Sequence, residues 1–95
     1  MVKYYKDDLS HFFYALADES RRDILELVAE SPKRASDLAQ RFDMSFPAVS
    51  KHIKVLEKAG FVKRRIVGRE HHIGIDKQNI HKVKRWIDVY RKENK

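Results

Sequence analysis

Residues 45–60, SFPAVSKHIKVLEKAG, constrain the fold of this chain more than any other segment. Ser45 suits a helix N-cap, where its hydroxyl accepts a hydrogen bond from a backbone N–H that has no partner within the helix. Pro47 falls in the first turn, where a missing N–H costs little and a fixed φ is already helical. Val49, Ile53 and Leu56 recur at i, i+4 and i+7, a single apolar stripe on an otherwise polar cylinder. Gly60 provides the residue that most readily turns left-handed at a helix end. A helix is therefore expected over 45–59. With its stripe held inward, Ser45, Phe46, Ser50, Lys51 and Lys54 are left facing out.

The flanking pattern places this helix in a larger unit. Ser36 is expected to cap a short helix over 37–42 that buries Leu38, Ala39 and Phe42, with Asp43 and Met44 in a tight turn. Two helices precede it. Leu9, Phe12, Phe13 and Leu16 mark the first, over 8–17. Asp18 caps a second that runs to about Glu30, with Ile24, Leu25, Leu27 and Val28 inward and Arg21 and Arg22 outside. Ser31 and Pro32 end it. After Gly60, residues 61–66 and 70–75 are rich in β-branched and aromatic side chains and are joined through Val67, Gly68 and Arg69, as in a hairpin. Asp76 caps a last helix in which Ile80, Val83, Ile87 and Tyr90 recur beside Trp86. The expected class is mostly α with a small β-hairpin, in the order α-α-α-α-β-β-α of a winged helix-turn-helix. Residues 1–95 are expected to form a single domain.

Charge is concentrated in the same region. Between Ser45 and Arg69, Lys51, Lys54, Lys58, Lys63, Arg64, Arg65 and Arg69 face only the carboxylate of Glu57, so nearly all of the chain's net +7 lies there. The B-DNA major groove accepts one α-helix, whose N-terminal residues reach base edges. Ser50 and Lys51 carry suitable donors, and Phe46 suits a thymine methyl group. His52, Lys54 and Lys58 suit phosphates. Lys63, Arg64 and Arg65 crowd one strand and Arg69 sits near the tip, which puts cations on a hairpin that can enter a minor groove or clamp the backbone. The DNA-binding set is thus Ser45, Phe46, Pro47, Ser50, Lys51, His52, Lys54, Lys63, Arg65 and Arg69, acting on double-stranded DNA. Lys33 and Arg34 are further candidates for phosphate contact.

The strings LADESRRDILELV and ASDLAQRFDMSFPAVSKHIKVLEKAGFVKRRIVGREHHIGID resemble the arsenic-repressor (ArsR-type) winged-helix regulators. The resemblance spans residues 12–76, and PAVSKHIKVLEKAGFV is its most specific part. It implies a homodimeric repressor on a pseudo-palindromic operator, with the first and last helices forming the interface. The expected interface residues are Tyr5, Leu9, Phe12, Phe13, Val83, Trp86, Ile87 and Tyr90. Many members of the family hold metal through a Cys-x-Cys-Asp-Leu pattern, which falls here on Arg34, Ser36, Asp37 and Leu38. A second family site falls on Asp76, Gln78, Val89 and Lys92. Soft and borderline metals select thiolate and imidazole ligands, so neither set suits one. No metal or cofactor is expected.

The chain has no cysteine, which excludes disulfides, thiolate metal sites and a cysteine nucleophile. It also lacks a glycine-rich phosphate loop and a spaced nucleophile-base set, so catalysis is not expected. No apolar run approaches the roughly 18 residues of a membrane span, and no signal segment opens the sequence, so the cytoplasm is the expected location. His71 and His72, adjacent on a strand, point to opposite faces and do not suit one shared ion. The aromatic residues Tyr4, Tyr5, Phe12, Phe13, Tyr14, Trp86 and Tyr90 are expected to build core and dimer interface, the alternative being a pocket for an unidentified protein or small-molecule effector. The competing function is a winged-helix interaction module that binds an acidic partner.

Overall fold

The computed structural model describes the backbone of residues 2–93 and the side chains of residues 8–91. Tyr4, Tyr5 and Lys92, named above as interface, aromatic or ligand positions, therefore lie outside the described side chains. Five helices and three short strands follow in order: α1 (Val2–Ala17), α2 (Glu19–Glu30), β1 (Lys33–Arg34), α3 (Ala35–Arg41), α4 (Phe46–Lys58), β2 (Val62–Val67), β3 (Glu70–Ile75) and α5 (Gln78–Glu93). The sheet order is β1-β3-β2, antiparallel throughout. The expected class holds, with a third strand added to the hairpin.

One core is shared by the five helices, β2 and β3. Ile24 and Val28 from α2, Leu38 from α3, Val49, Ile53 and Leu56 from α4, and Phe61 and Ile73 from the sheet region are at most 1% exposed. Complete burial of such a side chain stabilises a fold by about 1.5–3 kcal/mol. Phe12 of α1 closes the core against Phe61, with ring centroids 5.5 Å apart. Val83 of α5 joins the same cluster. Phe12 and Val83, expected at the dimer interface, are buried in the core of the single chain, 7% and 8% exposed.

Local signals set most boundaries. Asp18 caps α2 by accepting from Arg21 N at 3.1 Å, and Ser45 caps α4 by accepting from Ala48 N at 3.2 Å. Gly60 takes φ +77° just past α4, and Asp43 takes φ +53° in the turn between α3 and α4. Asp76 accepts from Gln78 N at 3.2 Å at the start of α5.

Three expectations change. The first helix begins at Val2, well before residue 8. Ser36 is not a cap: α3 starts at Ala35, and Arg34 occupies the cap position without a side-chain hydrogen bond. The cause is the pairing of Lys33 with Ile73 and of Arg34 with His72, which holds this backbone extended up to the first helical residue. The hairpin turn shortens to Gly68 and Arg69, because Val67 pairs with Glu70 and Gly68 supplies φ +63°.

Candidate nucleic-acid interface

Opposite its buried stripe, α4 presents a second one. Pro47, Lys51, Lys54 and Lys58 are exposed at i, i+4, i+7 and i+11, within about 60° of one another at 100° per residue. Phe46 and Ser50 flank this stripe on one side, with Phe46 53% exposed and Ser50 half-buried. His52 lies on the other flank, half-buried. Its Nδ1 is 3.4 Å from Arg21 Nη1 and 3.9 Å from Asp18 Oδ2, so it is turned toward the start of α2. Ser45 is exposed, but its hydroxyl oxygen is engaged in the cap.

The wing adds further exposed cations. Strand register places Val62, Arg64, Ile66, His71 and Ile73 on one face, and Lys63, Arg65, Val67, Glu70 and His72 on the other. Lys63 and Arg65 are exposed, and they border a groove of about 410 Å³ with Pro32, His72 and Gly74. Arg69 is exposed in the turn. Ile66 and Val67 beside it are 60% and 50% exposed.

Other cations bind within the chain. Arg21, expected outside, is 7% exposed. Its Nε donates to Ala15 O at 2.9 Å and its Nη2 to Tyr14 O at 2.7 Å, satisfying carbonyls left open at the end of α1. Its guanidinium also lies 4.8 Å from the centre of the Tyr14 ring. The missed signal was its spacing, since Arg21, Ile24 and Val28 share one helical stripe. Arg22 donates to Leu16 O at 2.7 Å. Lys33 Nζ donates to Leu27 O, Ser31 O and Ser31 Oγ within 3.1 Å, which fastens the end of α2.

Arg34 and Arg64 brace the wing. Arg34 donates to both Asp37 oxygens, at 2.9 and 3.1 Å, and to Glu70 Oε2 at 2.9 Å, joining α3 to β3. These hydrogen bonds push the Arg34 pKa up and hold the Asp37 and Glu70 carboxyls below their ordinary values. Arg64 grips Glu57 of α4 through Nε and Nη2 at 3.1 and 2.8 Å, and the carboxylate raises the pKa of the guanidinium. The positions matched to family metal ligands thus carry an ion-pair network at Arg34 and Asp37. Among the described residues, no three His, Cys, Asp or Glu side chains gather as a metal site.

A second surface carries aromatic residues. Phe13, Trp86, Ile87 and Tyr90, all expected at the interface, are 38–54% exposed; Tyr14 beside them is 62% exposed, and Leu9 is half-buried. Trp86 stacks edge-on against Phe13 at 5.3 Å and Tyr90 at 4.9 Å. Leu9, Ser10, Phe13, Tyr14, Ala17 and Trp86 line an open groove of about 810 Å³ here.

A short helix, a tight turn and a second helix capped by Ser45, then a basic hairpin, define a winged helix-turn-helix DNA-binding protein. Known proteins agree. The family model for bacterial regulatory proteins of the arsR family matches residues 18–64. The chain is 36% identical over 76 residues to the HTH-type transcriptional regulator Rv2034 of Mycobacterium tuberculosis, covering 80% of this chain and 71% of that protein. It is 35% identical over 51 residues to the transcriptional repressor SdpR of Bacillus subtilis, covering 54% of this chain and 57% of the repressor. An ArsR-like transcriptional regulator from Rhodococcus sp. RHA1 superposes with TM-score 0.86 at 32% identity, over 98% of this chain and 84% of that one. The homodimeric winged helix-turn-helix domain of Mb0332 from Mycobacterium bovis shares the fold, with TM-score 0.77 at 22% identity over 96% and 84% of the two chains. This chain belongs to the ArsR family, whose members are DNA-binding transcriptional regulators and not enzymes.

Proposed function

We propose that residues 1–95 act as one domain of a homodimeric repressor that reads a pseudo-palindromic operator on double-stranded DNA. The observation that carries this reading is the exposure of Lys51, Lys54 and Lys58 along one face of α4 and of Lys63, Arg65 and Arg69 on the wing that follows it. Ser50, Lys51 and Phe46 reach base edges, while Lys54, Lys58 and the wing cations meet phosphates. Ser45 and Pro47 set where the helix begins, and hence the depth at which it enters the groove. His52 touches the backbone only from the edge of this surface, since its ring nitrogen faces Asp18 and Arg21.

The dimer half of the proposal rests on the exposed aromatic face of α1 and α5, a kind of patch that marks association surfaces. The homodimeric Mycobacterium bovis domain of the same fold supports it. A repressor role is supported by similarity to SdpR. No helix among the described residues is long and apolar enough to cross a membrane, and the protein works in the cytoplasm, where its DNA is. Selection of bound sequences from a random duplex pool tests the reading. A two-fold dimer enriches inverted half-sites whose centres lie about 10 bp apart or a multiple of that. Enrichment of nothing, with retention of an acidic protein instead, would establish the interaction-module alternative.

A further inference from the structure

Glu57 is the sole carboxylate between Ser45 and Arg69, and a carboxylate beside a phosphate-binding surface works against binding. Its geometry supplies a reason for its presence. Arg64 Nε and Nη2 meet the two Glu57 oxygens at 3.1 and 2.8 Å, a fork that fixes orientation as well as distance. The remaining guanidinium nitrogen, Nη1, lies 2.9 Å from His71 Nδ1 on the neighbouring strand. The two side chains are only 20% and 30% exposed.

Both ends of this contact are pinned. Glu57 follows Leu56, and Arg64 pairs across the sheet with Ile73; Leu56 and Ile73 are both 0% exposed. The covalent link between helix and wing runs through Ala59 and Gly60, where the backbone turns left-handed at φ +77°. The ion pair is thus a second tie across that turn. Without it, the angle between α4 and the hairpin rests on the turn and the packing below it.

We infer that Glu57 and Arg64 are positioning residues: their fork sets the angle between reading helix and wing, so that both engage one DNA site in register. This inference rests on the DNA-binding reading above. It also removes Arg64 from the cations that meet phosphate, because its guanidinium is already committed to Glu57.

Equilibrium binding to the selected operator and to scrambled duplex, each across a salt series, tests it in the full chain. Arg64→Gln and Glu57→Gln are each expected to lower the specific-to-nonspecific affinity ratio by about fivefold or more, the scale of one misread base pair. Neither flattens the salt dependence on scrambled DNA, whereas loss of a phosphate contact lowers that slope by about 0.9. The double variant is no worse than either single one, as for residues acting as a unit. The exchanged pair Glu57→Arg with Arg64→Glu keeps the net charge and regains part of the ratio. If Arg64→Gln reduces the salt slope and leaves the ratio intact, Arg64 is a phosphate contact and the inference is wrong. If Glu57→Gln tightens binding to every sequence equally, Glu57 is merely a repulsive charge, and the inference is again wrong. Should Arg64→Gln not fold, the half-exposed Glu57 carries the test alone. Wild-type protein that discriminates no sequence overturns the DNA reading and this inference together; wild-type discrimination that both variants retain overturns the inference only.

Discussion

Around α4, the apolar side chains turned toward the core are covered by the chain itself: Val49, Ile53 and Leu56 are 0% exposed, while Lys51, Lys54 and Lys58 face water with Phe46 and Pro47 at the helix start. The face shared by α1 and α5 is built the other way. Phe13, Tyr14, Trp86, Ile87 and Tyr90 remain 38–62% exposed, and Trp86 stacks on Phe13 and Tyr90 without covering them. A chain of this size buries a modest share of its surface alone, so an aromatic face left open is stability not yet used. The difference teaches that the apolar stripe of α4 is satisfied within one copy, whereas the α1–α5 face is left open by it, as the proposed dimer would need. Substitutions at the two ends are therefore expected to fail in different ways.

The largest expected effect comes from the core beneath α4. Ile53→Ala leaves a cavity at a fully buried position and is expected to cost about 2–5 kcal/mol. Chemical denaturation measures this at any protein concentration. A loss under 1 kcal/mol would mean that α4 is not anchored as the structure has it. Next comes Ile87→Glu, which places a charge on a side chain 49% exposed. Helix content should survive, because the monomer core barely involves this residue. Sedimentation should instead shift from dimer to monomer, and operator affinity should fall by about 100-fold as the second half-site is lost. A variant that sediments like the wild type would move the interface elsewhere.

Smaller effects divide the reading end itself. Arg69→Ala is expected to weaken binding to all duplexes by a similar factor and to reduce the salt slope by about 0.9. Lys51→Ala or Ser50→Ala is expected to change which base is preferred, while costing less on scrambled DNA. Competition gel shifts at two salt concentrations separate the two outcomes. Equal loss of discrimination in all three variants would dissolve the distinction between helix and wing.

How far these regions were legible from sequence follows from the range of their interactions. The boundaries of α4 are local matters: Ser45, Pro47, the inward stripe and Gly60 each act within a turn or two, and each appears where expected. Ser36 failed as a cap because β1 pairs with a strand almost forty residues away in sequence, which no local pattern announces. The cations show the same limit. Lys51 and Lys33 look alike in a sequence, but Lys33 folds back onto the carbonyls ending α2 while Lys51 stays exposed. Arg34, Arg64 and Arg21 likewise found partners in other elements. Charge counting located the basic region correctly, yet only geometry separates cations that brace the fold from those offered to a ligand.

The smallest effect concerns the other brace of the wing. Arg34 holds Asp37 and Glu70 below their ordinary values of 3.8 and 4.5, chiefly by donating hydrogen bonds to their charged forms. A carboxyl whose pKa is depressed in the folded state contributes stability above its unfolded pKa, and loses it as pH falls through the lower, folded value. The clamp is therefore intact at neutral pH and fails only below the ordinary carboxylate range. Because these groups are solvent-exposed, the contribution is small and salt-sensitive. Glu70→Gln removes the β3 end of the clamp and also frees His72, which lies 3.1 Å from Glu70. Its melting temperature should fall slightly below that of the wild type at pH 7, and the two should converge as both are titrated below about pH 4. A gap that stays constant down to pH 3 would show that Glu70 supports the wing by packing rather than by charge, and would leave the Arg64 fork to α4 as the main electrostatic brace of the wing.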